Sequence, residues 1–537
     1  MRWDSRRKVF LIVLVFIFVF GPRRGLAAEP GAVAIASAPA SAVYVPDDFP
    51  TIQAALNAVT DIYVIVRDGI YTGAENKNLD FQGKPIKLVS ENGAANCIID
   101  CQGDGRGFYF HSGEGADSAV SGFTIRNGMD GETSEGGGIF CERGASPTIT
   151  NCTITACAAN FGGAISCRDS SPIISACTLT ANEAMYGGGI YSTNSSPLIS
   201  GCTIETNSAE EGGGVFLIRG APIIAETILR NNLADNGGGI VTDVDCTPTF
   251  WNCLIENNAA LWWGGGFFCS SSFVNISNCT VRNNTAGWGG GGFHSYQSHN
   301  NVTNSIFWGN SALLGNEIAL QSYDSTAFES SDVEGGKAAA YVEPEASLYW
   351  LESNISADPM FSQGPLGSSY LSQTDAGQAS DSPCVDAGND EALLLGLQML
   401  TTRSDQLDAT GVGDAGIVDM GYHYPIVEVT GLQEISLISP ADGAALSAPP
   451  LFVWTPDGGT RDAFAIEVST SAAFTSYYST YENLSQILTE TQWAMPSFLW
   501  SKVPAGVPLY WRVRGIDLDS AERPIVTSNE IWSFQKN

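Results

Sequence analysis

GGGI at 136–139, GGAI at 162–165, GGGI at 187–190, GGGV at 212–215, GGGI at 237–240, GGGF at 264–267 and GGGF at 290–293 decide the fold, and a degenerate GNEI comes next at 315–318. Counted between the apolar residues that close each run, the steps are 26, 25, 25, 25, 27, 26 and 25. A fixed period near 25 residues means stacked structural units, each burying its face against the next.

A second anchor lies outward from each glycine run: NCTI (151–154), ACTL (176–179), GCTI (201–204), ETIL (226–229), NCLI (252–255), NCTV (278–281) and NSIF (304–307). Alignment on it gives columns. One holds Cys152, Cys177, Cys202, Thr227, Cys253, Cys279 and Ser305. Another holds Cys157, Asn182, Asn207, Asn232, Asn258, Asn284 and Asn310, and Ala stands two residues later from Ala159 to Ala312. Short alternating strands broken by Gly, Asn and Pro are strands with tight bends, not helices. If one unit is one coil, equivalent residues stack at about 4.8 Å and like sits on like. Stacked Asn amides then hydrogen-bond along the axis. The Cys/Thr/Ser column reads as small, weakly polar core; no zinc-like spacing accompanies it.

The periodic GG[AG][IVF] with [ILVF]xxN, strictest in GGAI at 162–165 and FWGN at 307–310, resembles the repeat of polymorphic outer-membrane proteins. It also resembles secreted bacterial proteins with pectate-lyase-type helices. The resemblance covers about residues 43 to 330. It implies an all-β chain: a single-stranded right-handed parallel β-helix, followed here by a small β-sandwich. That fold carries lyases, esterases, adhesins and phage spikes alike, so the resemblance implies architecture and leaves activity open.

The chain has 537 residues, 25 Lys+Arg and a formal net charge of −32, with no lysine between Lys87 and Lys337. Such a surface excludes nucleic acid as a partner, because phosphate binding needs a basic face. Arg6, Arg7 and Lys8 precede the apolar run VFLIVLVFIFVF (9–20), with small-residue sites after it at LAA and ASA. This reads as a secretory signal, its apolar run short for a membrane span, with an uncleaved anchor as the alternative. The expectation is a bacterial protein, secreted or associated with the cell surface or outer membrane, with no transmembrane domain in the mature chain. Of thirteen cysteines, Cys97 with Cys101 and Cys141 with Cys167 are the expected bridges in an oxidising compartment.

The chain divides into four segments: a signal and low-complexity leader at 1–42, the β-helix at 43–330, irregular closing coils or a cap at 331–430, and a module at 431–537. PTIQAALNAV (50–59) puts Ile52, Ala55, Leu56 and Val59 on one helical face, suited to covering the first coil. In the cap, Asp405, Asp408, Asp414 and Asp419 are candidate oxygen ligands for Ca²⁺, the one cofactor considered. The last hundred residues alternate as a β-sandwich and resemble fibronectin type III-like modules, with YWRVR and WSF as late strands.

Two outward columns are candidates for function. Arg126, Thr155, Thr180, Glu205, Arg230, Glu256, Arg282 and Trp308 form one. It reads as ion pairs on a solvated face; the sharper alternative makes Arg230 or Arg282, flanked by Glu205 and Glu256, a catalytic group of a polysaccharide lyase or hydrolase. The second holds Phe161, Tyr186, Glu211, Asn236, Trp262, Trp288 and Leu314. With Trp263 and Trp308 it offers rings that can stack on sugars or equally pack under loops or against the cap. Beside it run Phe140, Tyr191, Phe216, Phe268 and His294. The leading expectation is a non-catalytic surface protein for adhesion or binding of a polysaccharide or cell-surface glycan. A polysaccharide-active enzyme and a structural spacer are the alternatives.

Overall fold

The computed structural model describes residues 42–537 except 61, 130, 132–133, 352, 405–412, 427–433, 458–461, 473, 475–476, 485, 518–525 and 529. The expected signal and leader, bar Ala42, lie outside the described residues. Two compact units divide at Ile426 and Val427.

The first unit is a solenoid with four parallel sheets of thirteen, eleven, ten and five strands, here A, B, C and D. One coil shows the plan: Leu198–Ser200 in A, Thr203–Glu205 in B, Ser208–Glu211 in D and Val215–Gly220 in C. Each strand pairs with its equivalent one coil away, as Thr203 with Thr178 and with Ile228. A corner costs one residue in the left-handed region: Gly201 (φ 59°), Thr206 (φ 55°), Gly212 (φ 68°) and Arg219 (φ 52°) turn this coil. Asn, Asp and Gly recur at such positions because they tolerate that conformation.

At the D-to-C corner the reason for glycine is also steric. A Cβ on Gly213 would lie 2.5 Å from the carbonyl oxygens of both Gly238 and Leu233. Neither can yield without shifting a stacked coil. Gly213→Ala is therefore expected to cost about 1–3 kcal/mol, the usual cost of overpacking, read as a lowered urea midpoint at constant slope.

One apolar cluster runs through the solenoid from Val45 to Val333. Helix α1 (Ile52–Ala58) covers its first coil with Ile52, Ala55 and Leu56 buried, and the Thr51 hydroxyl caps it by accepting from the Ala54 N–H. The cysteine column has a specific task. Cys152, Cys177, Cys202, Cys253 and Cys279 each donate Sγ–H to the carbonyl two residues back, at 3.2–3.5 Å. Thr227 and Ser305 do the same at 2.8 and 2.7 Å. The position needs a short side chain with a γ donor, which is why Cys, Thr and Ser interchange.

The expected disulfides do not form: all thirteen cysteines are free and buried. Cys97 opens the strand Cys97–Asp100 and Cys101 lies just past its end. Four residues of extended chain separate Cα atoms by about 13 Å, beyond disulfide reach. Cys141 and Cys167 are register partners. Stacked side chains in a parallel sheet project the same way, whereas a bridge needs converging Cβ vectors.

A last coil runs through Asp332–Val333, Tyr341–Val342 and Ser347–Trp350. From there to Ile426 the chain folds back along the A–B side. Tyr370, Tyr422 and Tyr424 pack with Ile228 and Leu254 of sheet B, and Leu371, Cys384 and Met420 with Ile306. Asn252 clasps the returning chain, donating to His423 O at 2.8 Å and accepting from its N–H at 2.6 Å.

In the second unit a three-stranded and a six-stranded sheet enclose Phe452, Trp454, Trp493, Trp511 and Phe534. These small sheets, mostly antiparallel, are consistent with a β-sandwich.

Candidate functional site

The charged column on sheet B is resolved into pairs. Arg126 bonds Asp100 at 3.0 Å, Arg230 bonds Glu205 at 2.7 Å, and Arg282 lies 3.5 Å from Glu256. Register places each Arg beside the acidic residue of the neighbouring coil. Arg230 and Glu205 remain partly open to solvent. Arg282 and Glu256 are less open, at 14% and 13%: Arg282 donates to Ser368 O at 2.7 Å and to Ser369 Oγ at 3.0 Å of the returning segment, 4.7 Å above the Phe361 ring. Trp308 packs beneath the same segment, in the cluster of Met420 and Cys384.

Of the calcium candidates, Asp405 and Asp408 lie outside the described residues. Asp414 and Asp419 are buried in the returning segment. Asp414 Oδ2 is 2.7 Å from His423 Nε2, and Asp419 accepts from the Asp386 N–H at 2.7 Å and from the Thr402 hydroxyl. Burial, then the charge of Asp414, raises the Asp419 carboxyl to about 7. Among the described residues, no group of three or more His, Cys, Asp or Glu is arranged to hold a metal.

The aromatic columns converge. Sheet C carries Tyr109, Phe140, Ser166, Tyr191, Phe216, Val241, Phe268 and His294 in register on its outer face. Sheet D carries Tyr186, Glu211, Asn236 and Trp263 in register, continued toward the N-terminal coils by Phe161 and Glu135. Here the structure corrects the sequence alignment. A register shift between Ala234 and Asn236 puts Trp263, not Trp262, opposite Asn236, and Gly289, not Trp288, next to Trp263. The 27-residue step holds the extra residues. Trp262 and Trp288 are left exposed at 49% and 44%.

The two columns interleave, each D side chain resting on the C residue of the next coil. Phe161 meets Tyr191 at 5.0 Å, Tyr186 meets Phe216 at 5.3 Å, and Trp263 meets His294 at 4.6 Å. Trp288 closes on Trp263 at 6.1 Å. This explains why outward-facing Phe216 and His294 are nonetheless buried, while Phe140 is covered by Tyr109 and the Arg106 guanidinium. Toward the N-terminal coils Glu135 pairs with Arg168 and lies 3.5 Å from Ser166 Oγ. Tyr109 stacks on Phe140 at 5.5 Å and donates to Glu142. Between the aromatic groups sits Glu211, which accepts from Asn236 Nδ2 at 3.0 Å. Burial raises its carboxyl above the usual range despite that bond, helped by Asp243, Asp235 and Glu210. His294 is held down to about 4, and so neutral, by burial.

The result is a seam of interleaved side chains along the solenoid where sheet C meets sheet D. Of the expected sugar contacts it unites Tyr186, Trp263 and Trp288, leaves Trp262 outside it, and excludes Trp308. Glu135 and Arg168 were not singled out by the sequence, since neither falls in a repeated column of its own kind.

Residues 86–235 and 223–333 match the family model described as a right handed beta helix region. The solenoid is a right-handed parallel β-helix. No curated protein and no solved structure matches the chain. Among the described residues, no helix of this β-helix or of the second unit is long and apolar enough to cross a membrane.

Proposed function

We propose that this chain is an exported bacterial surface protein whose β-helix binds a polysaccharide or cell-surface glycan along the seam between sheets C and D, for adhesion and without catalysis. The row of rings carries this reading. Tyr109, Phe161, Tyr186, Tyr191, Trp263 and Phe268 stay partly open to solvent and Trp288 is exposed, on coils stacked about 4.8 Å apart, close to the length of one pyranose unit in an extended chain. Aromatic rings offer large apolar area with little conformational entropy to lose, which suits stacking on sugar faces. The second unit, read as a fibronectin type III-like module, would serve for attachment or spacing.

A glycan array with the full chain, followed by product analysis of any bound polymer, tests this. Binding without shortened or unsaturated products is expected. Trp263→Ala should weaken it about tenfold, while Trp308→Ala, under the returning segment, leaves it unchanged. Unsaturated or shortened products would favour the lyase or hydrolase reading, and absence of binding the spacer.

A further inference from the structure

We infer that the second unit binds a free fatty acid, or another single-chain amphiphile with an anionic head, in a slot between its two sheets; this goes beyond the carbohydrate reading and does not depend on it. Three strands face six, so the smaller sheet leaves part of the larger one's inner face uncovered. The strand Gln492–Ala494 is the edge of the smaller sheet. A slot of about 430 Å³ opens there, within the range of pockets that bury one small ligand. The larger sheet supplies Ile466 and Leu509 to it; the edge strand supplies Trp493, and Met495 follows. All four are buried side chains of the unit's core, so the slot reaches between the layers. Tyr478 and Phe498 also line it and are exposed, which places them at its mouth.

Charge sets the class of ligand. The chain has 57 Asp+Glu, yet no residue lining the slot is acidic, and the one charged residue there is Lys502. Lys502 is exposed, and among the described residues its ammonium has no ion-pair or hydrogen-bond partner. Glu467 lies between Ile466 and Val468 in sequence, but strand alternation turns it to the opposite face, where Arg512 and Arg514 hold it at 2.7 and 3.0 Å. Lys536 fixes the lip that carries Lys502, donating to Trp500 O at 2.9 Å and to Val503 O at 3.1 Å. The slot is therefore apolar inside and has one uncompensated cation at its rim. A single acyl chain ending in a carboxylate satisfies both features. A lipid held in an anionic bilayer does not, because a chain of net charge −32 is repelled by such a surface.

The test is calorimetric titration of the full chain with three probes below their micelle concentrations: dodecanoate, octanoate and the neutral dodecyldimethylamine oxide. Dodecanoate should bind at one site. Each buried methylene is worth about a factor of four, so octanoate, four methylenes shorter, should bind at least about fiftyfold more weakly. The amine oxide should bind about fivefold more weakly than dodecanoate, the value of one partly solvated charge contact. Lys502→Gln should abolish that difference between heads. Phe498→Ala should weaken both dodecyl probes alike, by about tenfold. Both side chains are exposed, so neither substitution disturbs the core. Absence of dodecanoate binding, an affinity that does not grow with chain length, or binding unchanged in both variants overturns the inference. Co-sedimentation with phosphatidylglycerol vesicles without binding of free dodecanoate overturns it in favour of a bilayer as the partner.

Discussion

Asn232→Ala is expected to destabilise the β-helix by about 4 kcal/mol, seen as a lower urea midpoint with an unchanged slope. Asn232 Oδ1 accepts from the N–H of Asn207 at 3.0 Å and from its side-chain amide at 3.1 Å. Its own amide donates to Ile204 O and to Asn258 Oδ1, both at 2.9 Å. The same pattern runs from Asn182 through Asn310, every member buried. Alanine therefore strands two buried donors on Asn207, at about 1–3 kcal/mol each. Asn232→Asp should be worse at neutral pH, because a carboxylate accepts from Asn207 but cannot donate to Ile204 or Asn258. Acid should partly restore it. Since coils contact only their neighbours, the damage should start locally, with amide exchange accelerated first in the coils of Asn207 and Asn258. A loss below about 1 kcal/mol would show that the ladder is filled by water rather than needed.

That ladder was legible in the sequence because its cause is local and repeated: one inward position, one side-chain type, one period. The cysteine column was legible as small core, yet its task was not, since the i to i−2 bond depends on a corner that spacing alone does not describe. Register failed at Trp262 and Trp263 for a related reason. A 27-residue coil says that residues were added, not where the strand absorbs them. The irregular segment after Trp350 carried no period, so nothing marked its return along sheet B. The lower exposure of Arg282, and removal of Trp308 from the open surface, are consequences of that return. The aromatic seam needs two columns from different sheets to lean together by one coil, a relation no single alignment displays.

The ladder ends in a carboxylate, and this makes stability depend on pH. Beyond Asn310 the next acceptor is Glu317, 4% exposed, whose Oε1 accepts from the Asn310 N–H at 3.0 Å and whose Oε2 accepts from its side-chain amide. Burial dominates and raises this carboxyl from 4.5 to about 8; the two bonds from Asn310 oppose the rise, and Glu334 adds to it. The folded chain thus holds a proton that the unfolded chain releases. Where the native state binds more protons, stability falls as pH rises. The contribution is full below about pH 4.5 and is lost progressively up to about pH 8. The span is worth about 5 kcal/mol at about 1.4 kcal/mol per pH unit. Asp332, raised to about 6, and Asp419, raised to about 7, slope the same way, so the wild-type curve alone does not isolate Glu317. The difference from Glu317→Gln does. Glutamine keeps an oxygen for Asn310 and turns an amide toward Glu334 without titrating. At about pH 5 the two proteins should agree within about 1 kcal/mol; at about pH 9 the Gln variant should be more stable by about 3–5 kcal/mol. Parallel curves would mean that the Glu317 carboxyl titrates alike in the folded and unfolded chain, with solvent reaching the end of the ladder.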